Sequence, residues 1–472
     1  MSRIASVVIA VVAIGCGAAE APAEARAWAP LVAAVDLDPD PNVVEVELTA
    51  EVATVEFVEG IVTEVWAYRD SGSADAVASV PGPLIETALG DRLVVHLRNA
   101  LPEGTTLHWH GLRVPEAMDG NPMNGGAVAA GESTTVEFVV RDQGLHWYHS
   151  HLYADEQIQR GLQGTLVVRG REEPQADLER VLVLDDVELG GDGALALEPS
   201  AEDLMLGRRG NTLLVNGRVP ATAAARPGTI ERWRLVNTSN GRHFALELSD
   251  TPFLVVGWDN GLVAEPYTTQ TLVIAPGERY DVLVAIEGGA GERLLLETLE
   301  VARGGGMVDP GPYTLLELAL EDPVADNGAV VVPPRRDVER LEVDADTMVR
   351  RFTLEHETAA NGGTVFTING KRWPLAPPVH VEVGTTEIWE IANDTDHDHP
   401  FHLHGFPFQV LDRDGVPEPT LGWKDTVRVA GQGLTRIAVR HDELGMWMFH
   451  CTIPEHAERG MMADLHVMED PQ

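Results

Sequence analysis

The sequence predicts an all-β chain of three consecutive sandwich domains, and three observations carry that prediction. Long helical periodicity is nearly absent, while short runs of Val, Ile, Leu and Thr alternate with Gly, Pro and Asn-Gly turns. A length of 472 residues fits about three domains at ~150 residues each. One strand-like segment also recurs, as Gly90 to Asn99 (GDRLVVHLRN), Gly228 to Asn237 (GTIERWRLVN) and Gly384 to Asn393 (GTTEIWEIAN), with successive copies starting 138 and 156 residues apart. Each copy alternates apolar and polar side chains as a half-buried strand does.

In chain order, the first feature is an export signal: Arg3, a mostly apolar run from Ile4 to Ile14, then small residues. That run is too short to cross a bilayer. Ala13-Ile14-Gly15-Cys16 approaches a bacterial lipobox, with Ala13 where leucine is usual. Two readings stay open: a lipid anchor at Cys16, or plain cleavage after Ala25 or Ala27. Either makes the protein exported, as a periplasmic protein or an outer-membrane lipoprotein. The Ala-, Glu- and Pro-rich stretch from Gly17 to Pro30 suits a flexible tether. Further on, Val215-Asn216-Gly217 and Ile368-Asn369-Gly370 precede the second and third copies of the repeat and read as hairpin turns.

Net charge excludes one class of partner. At −40, with Lys371 and Lys424 the only lysines, the chain lacks the basic face that nucleic acid requires. An acidic surface concentrates cations, which favours cationic phenols, aromatic amines or metal ions as small-molecule partners. Solubility in a salty habitat is the simpler reading.

Histidines carry the chemistry. They cluster as His108-Trp109-His110-Gly111, His149-Ser150-His151 and His399-Pro400-Phe401-His402-Leu403-His404-Gly405. On a strand, residues i and i+2 face one side, so each His-x-His pair offers two imidazoles to one point. A fourth segment, Phe449-His450-Cys451-Thr452-Ile453-Pro454-Glu455-His456 with Met461 beyond it, joins a thiol, two imidazoles and a thioether. Such a donor set describes a mononuclear copper site. Cys451 has no partner for a disulfide in the body of the protein, leaving a ligand, a reactive thiol or a core residue. The four segments hold nine of the seventeen histidines, too many for chance. If Cys451 lies on a strand, residues 450 and 452 face the opposite side from it.

These four motifs, in order and spacing, resemble the multicopper oxidases, the family of laccases, bilirubin oxidases and cuprous or ferrous oxidases. The resemblance implies cupredoxin domains, each a Greek-key sandwich, at about 31–171, 172–334 and 335–472, with Pro333-Pro334-Arg335-Arg336 as the second linker. It implies a type 1 copper on His399, Cys451 and His456 with Met461 axial, and a type 2 copper on His108 and His402. One type 3 copper would take His151, His404 and His450. The other would take His110, His149 and a third histidine directly after the cysteine, where this chain has Thr452. Either copper still binds there through two imidazoles and hydroxide, or that copper is lost and dioxygen reduction fails with it. His441 and His466 are the nearest histidines beyond the motif, and each reads as a surface or edge residue rather than a substitute. The cluster should lie between the first and third domains, with the second mainly a spacer.

Dioxygen reduction also consumes protons. Asp119, in Met118-Asp119-Gly120, matches the acidic residue that relatives place beside the cluster as a relay; taken alone, Asp-Gly would be a turn. A second carboxylate that relatives carry after the last type 1 histidine is Ala457 here, so Glu458 is a weak substitute and Glu455 reads as structural. Met446 and Met448 beside Trp447 read as packing, and no methionine-rich insert occurs. The leading reading is a laccase-like oxidase of phenols or aromatic amines; Met461 as axial residue is similar to the family's lower-potential members. A copper-binding or electron-transfer protein with a crippled cluster is the serious alternative. A copper nitrite reductase and a copper-free scaffold fit the histidine set poorly.

Overall fold

The computed structural model describes residues 26–324, 332–359 and 362–469. Its three repeats build three sandwiches by one rule. Arg92–Asn99 pairs in parallel with Val43–Val58 and antiparallel with Ser133–Val139. Ile230–Asn237 lies likewise between Leu178–Val187 and Arg279–Ala285, and Thr386–Asn393 between Val349–Thr358 and Leu434–Arg440.

The asparagine that ends each repeat makes the same corner. The Nδ2 groups of Asn99, Asn237 and Asn393 donate to the carbonyls of Val128, Ile274 and Val429. Their Oδ1 atoms accept from the amides of Leu101, Ser239 and Thr395. A buried amide side chain is tolerable only when both ends are bonded, and here it fixes where the chain leaves the strand. The Asn-Gly turns form as expected: Asn216 and Asn369 have φ of 53° and 54°, each followed by a glycine at positive φ, the conformation of a tight hairpin turn.

Each sandwich encloses its own core. The first gathers Leu93, Val95 and Leu97 with Trp109 and Tyr148 from the facing sheet. The second is built on Trp233, Phe244 and Phe253, and the third on Trp389, Phe401 and Phe449. Two sheets matter for function. In the first domain the order is Gly82–Ala88, Gln163–Arg169, Gly144–His149, His108–His110; in the third it is Val379–Glu382, Met462–Met468, Gly445–Cys451, His399–Leu403, Thr426–Val429.

The proposed tether is corrected in part. Arg26–Ala27 adds a parallel strand beside Ala221–Ala225, Trp28 N donates to Thr222 O at 2.8 Å, and the Trp28 ring packs on the second core beneath the Arg180 guanidinium. An unpaired sheet edge is a liability, and the end of the supposed tether covers one. The apolar run and Cys16 lie outside the described residues. Among the described residues no helix is long and apolar enough to cross a membrane.

Candidate metal centre

Strand register assembles the histidines. In the first domain His108 pairs with His149 and His110 with Trp147; in the third, His402 pairs with His450 and Phe401 with Cys451. Strand geometry accounts for the whole of the His108/His110 pair but only the first member of His149/His151 and His402/His404, because those strands stop at His149 and Leu403. His151 and His404 therefore reach the site from just beyond strand ends.

Seven imidazoles, from His108, His110, His149, His151, His402, His404 and His450, surround one buried space between the first and third domains. His450 Nε2 lies 3.2 Å from His151 Nε2 and 3.0 Å from His404 Nε2. The outer nitrogens of five of the seven are already engaged. His450 Nδ1 donates to Cys451 O and His149 Nδ1 to Ser150 O, both at 2.8 Å. Those of His108 and His402 donate to the carbonyls of Asp119 and Asp425 at 2.8 and 2.9 Å. His404 Nδ1 faces Asp119 Oδ2 at 2.8 Å. With the proton held on Nδ1, each Nε2 turns a bare lone pair inward. The Nε2 atoms of His108, His149 and His402 are buried with no partner, which costs free energy unless a cation fills the space.

His110 is turned the other way. Its Nε2 meets Thr426 Oγ1 at 2.8 Å and Asp425 Oδ1 at 3.2 Å, leaving Nδ1 to ligate. Burial first, and neighbouring imidazoles second, hold His110, His149 and His404 well below the usual histidine range. All three stay neutral, the form that binds metal.

Thr452 takes no part as a donor. Its hydroxyl donates to Pro276 O at 2.8 Å, a carbonyl of the second domain. Beside it, with His110, His149 and Glu458 in the wall, is a cavity of about 20 Å³, room for roughly one water. Gly277 closes this corner: a Cβ there would sit 3.1 Å from both His110 Cε1 and Thr452 Cγ2.

On the other face of the same strand lies a second donor set. Cys451 Sγ is 3.5 Å from His399 Nδ1 and 3.6 Å from His456 Nδ1, and those nitrogens are 3.1 Å apart. Here Nε2 is the engaged atom, against Thr395 Oγ1 at 3.0 Å for His399 and Met205 O at 3.1 Å for His456. Met461 is fully buried in the same core, and its carbonyl accepts from Cys451 N at 3.1 Å. Burial pushes the Cys451 thiol up to about 12, so a thiolate there requires a bound cation, which deprotonates a coordinating thiol outright.

Asp119 is fully buried and joins two ligands, its carboxylate on His404 and its carbonyl on His108. Glu455 accepts from Asn240 Nδ2 at 2.9 Å with Arg208 Nε at 3.4 Å, a structural post. Glu458 lies against the small cavity and accepts from Ala154 N at 3.0 Å; burial pushes it up to about 7. Met448 is buried while Met446 is 41% exposed, so only the first is packing.

Two expectations are corrected. His441 is not a surface residue: it is buried between Trp389 and Phe406, at ring separations of 5.5 and 5.4 Å. It stands in the third core, and His466 stacks on His380, so neither replaces residue 452. The second domain is more than a spacer. It supplies the Pro276 and Met205 carbonyls, and Arg279, whose Nη1 and Nη2 grip Asp425 at 2.6 and 2.5 Å. Asp425 in turn holds His110 and His402. Behind it Lys424 pairs with Asp259 at 3.1 Å and Glu278 at 3.3 Å. The sequence offered one signal for this network, a rare lysine in Lys424-Asp425-Thr426. It also offered His397-Asp398-His399, a further His-x-His pair, which places His397 4.6 Å from the His399 ring.

Multicopper oxidase family profiles match residues 62–173, 185–292 and 345–471. The chain is 30% identical to the multicopper oxidase MmcO of Mycobacterium tuberculosis, over 82% of this chain and 81% of that one. It is 26% identical to a Bacillus subtilis laccase, over 86% and 91%. Among solved structures, a Campylobacter jejuni multicopper oxidase described as a metallo-oxidase superposes with a TM-score of 0.83 at 25% identity, over 94% and 95% of the two chains. A laccase-like multicopper oxidase from Ochrobactrum sp., with activity towards lignosulfonate, superposes at 0.79 with 31% identity, over 93% and 100%.

Proposed function

Since the chain belongs to the multicopper oxidase family, we propose that it couples one-electron oxidation of small donors, phenols and aromatic amines among them, to four-electron reduction of dioxygen to water. One observation carries the reading: His450 and Cys451, adjacent in the chain, belong to the two different donor sets. Electrons accepted at the thiol side then reach the histidine side through one peptide unit. Copper, when bound, supplies the redox chemistry at both places. His399, Cys451, His456 and Met461 would hold the type 1 ion, and His108 and His402 the type 2 ion. His151, His404 and His450 would hold one type 3 ion, and His110 and His149 the other.

The protein's own residues do the rest. Carbonyls of residues 119, 150, 425 and 451 fix the tautomers of their histidines. In this reading Asp119, buried beside the cluster, passes protons inward, because its carboxylate faces two of the ligand histidines, with Oδ2 2.8 Å from His404 Nδ1 and Oδ1 3.3 Å from His108 Nδ1. We further infer, from Arg3 and the apolar run Ile4 to Ile14, that the chain is exported, with a lipid on Cys16 as the anchored variant. Membrane partition and intact mass of the mature protein decide that point, and a soluble product starting beyond residue 16 rejects the anchor.

A second reading is favoured by Thr452 alone, whose hydroxyl is committed to Pro276: an electron-transfer protein whose cluster lacks one copper. Dioxygen uptake with an easily oxidised aromatic donor, run beside Thr452→His on copper-loaded protein, separates the two. Comparable rates support the oxidase. A blue protein that is reduced yet consumes dioxygen only after the histidine is restored supports the second reading.

A further inference from the structure

We propose that Arg303, a fully buried arginine of the second domain, raises the reduction potential of the thiol-containing centre and so sets which donors that centre can oxidise. The inference deepens the oxidase reading above and rests on its assignment of a type 1 copper to His399, Cys451 and His456. Arg303 is a positioning residue in this role: it touches neither donor nor dioxygen and acts through the field of its charge.

Placement is the first argument. The second domain's hairpin, Val301–Gly304 with Met307–Asp309, closes on the bend that leads into His399. Asp398 N donates to Arg303 O at 3.0 Å, and a Cβ on Gly304 would lie 2.3 Å from Asp396 O. Along the first strand of the hairpin Val301 and Arg303 are buried while Ala302 and Gly304 are exposed, so the arginine is on the inward face. There its charge reaches all three donors. Burial first, then neighbouring imidazoles and Arg303, hold His399 and His456 well below the usual histidine range. Cys451, which burial pushes up, is drawn back by a backbone hydrogen bond at Ile453 and by Arg303.

The second argument is that this charge is poorly answered. Arg303 is 1% exposed, with Nε and Nη2 buried without a partner. Its Nη1 stands 3.6 Å from Asp309 Oδ1, beyond hydrogen-bond length. Asp309 is itself shared, accepting from His243 N at 2.8 Å and from Arg209 Nη1 at 3.3 Å. Asp398, the other carboxylate at hand, faces Arg428 Nε at 2.9 Å. A guanidinium does not shed its proton, and away from water its field is weakly screened. With one thiolate and two neutral imidazoles, the copper site carries one net positive charge when oxidised and none when reduced. A fixed cation beside it therefore penalises the oxidised form and raises the potential, opposing the low potential expected of Met461 as axial residue.

The test is an anaerobic redox titration of copper-loaded protein, followed through the thiolate-to-copper absorption band. Arg303→Met should lower the equilibrium constant for reduction at least tenfold, about 59 mV for a one-electron couple. Arg303→Lys keeps the charge and should stay closer to the parent than to the methionine variant. Asp309→Asn removes the shared counter-charge while its amide oxygen still accepts from His243 N, and should shift the potential upward; it decides the matter if Arg303→Met fails to hold copper. An unchanged potential in Arg303→Met, or equal shifts with methionine and lysine, overturns the inference, since the residue would then only brace the hairpin. A downward or absent shift in Asp309→Asn overturns it as well. If the potentials move as expected in a protein that oxidises no donor, the inference stands and the oxidase reading falls.

Discussion

Replacing Arg279 by leucine should show that the second domain holds the cluster together. Arg279 and Asp425 are 1% and 2% exposed and bonded twice, at 2.6 and 2.5 Å; Arg279 Nε also donates to Leu145 O at 2.9 Å. Removing one member of a buried, bidentate pair strands the other charge and costs about 3–5 kcal/mol, a factor of roughly 10² or more in the folding equilibrium. Burial favours the neutral form of Asp425, but Arg279 together with His110 and His402 outweighs it and holds the carboxyl well below the usual range. The pair's contribution is therefore complete at neutral pH, above the ordinary aspartate value of about 3.9. It fades only as pH falls through the lower, folded-state value.

Urea titration of the metal-free protein with copper content measured in parallel is the assay, with Asp425→Leu and the double variant completing a cycle. Because three domains need not unfold as one, the midpoint of the transition that reports the cluster is the quantity compared. We expect Arg279→Leu to lower that midpoint and the copper bound, the gap from the parent protein to narrow on acidification, and the double variant to lose less than the sum of the singles. An unchanged midpoint at pH 7, or strict additivity, would refute the reasoning.

Asp119→Asn should lower turnover more than copper content, since the amide can still bond His404 but cannot carry a proton; equal activity rejects the relay. Gly277→Ala should reduce copper occupancy, because a Cβ would crowd His110 and Thr452 at 3.1 Å on a backbone at φ 82°, where alanine costs about 1–2 kcal/mol; full copper content by metal analysis would contradict this. Asn237→Ala strips a fully buried corner of its bonds to Arg242 O, Ile274 O, Ser239 N and Ser239 Oγ. It should destabilise the second domain by about 1–3 kcal/mol, read from thermal unfolding, and an unshifted transition would deny the corner its structural role.

Much of this was legible in the sequence because it is local. The triple repeat announces three strands through alternation, and the Asn-Gly turns announce their neighbours. The His-x-His spacing survives even where the strand ends before the second histidine, as at His151 and His404. What was not legible depends on residues far apart in the chain. Arg279 meets Asp425 across 146 positions, and nothing near either residue forecasts the other. His441 looked superficial because it follows a charged strand end, yet it caps the third core. Trp28 looked like tether because composition does not register a vacant sheet edge at Thr222, 222 − 28 = 194 residues downstream. His397 stands in one more His-x-His pair, but nothing in its spacing forecasts that its ring packs against His399 and His456 on the thiol side.

The division of the cluster between the first and third domains also dictates when it can exist. His151 and His450 are 299 residues apart in the chain, so at about 5–20 residues per second the ribosome takes roughly 15 to 60 s to deliver the second after the first. Throughout that interval the nascent first domain displays His108, His110, His149 and His151 as half of a metal site, able to seize whatever ion is at hand. Export before closure, through an unfolded chain, would postpone that choice until all ligands are present together, and the metal would then be selected by the compartment into which the chain emerges.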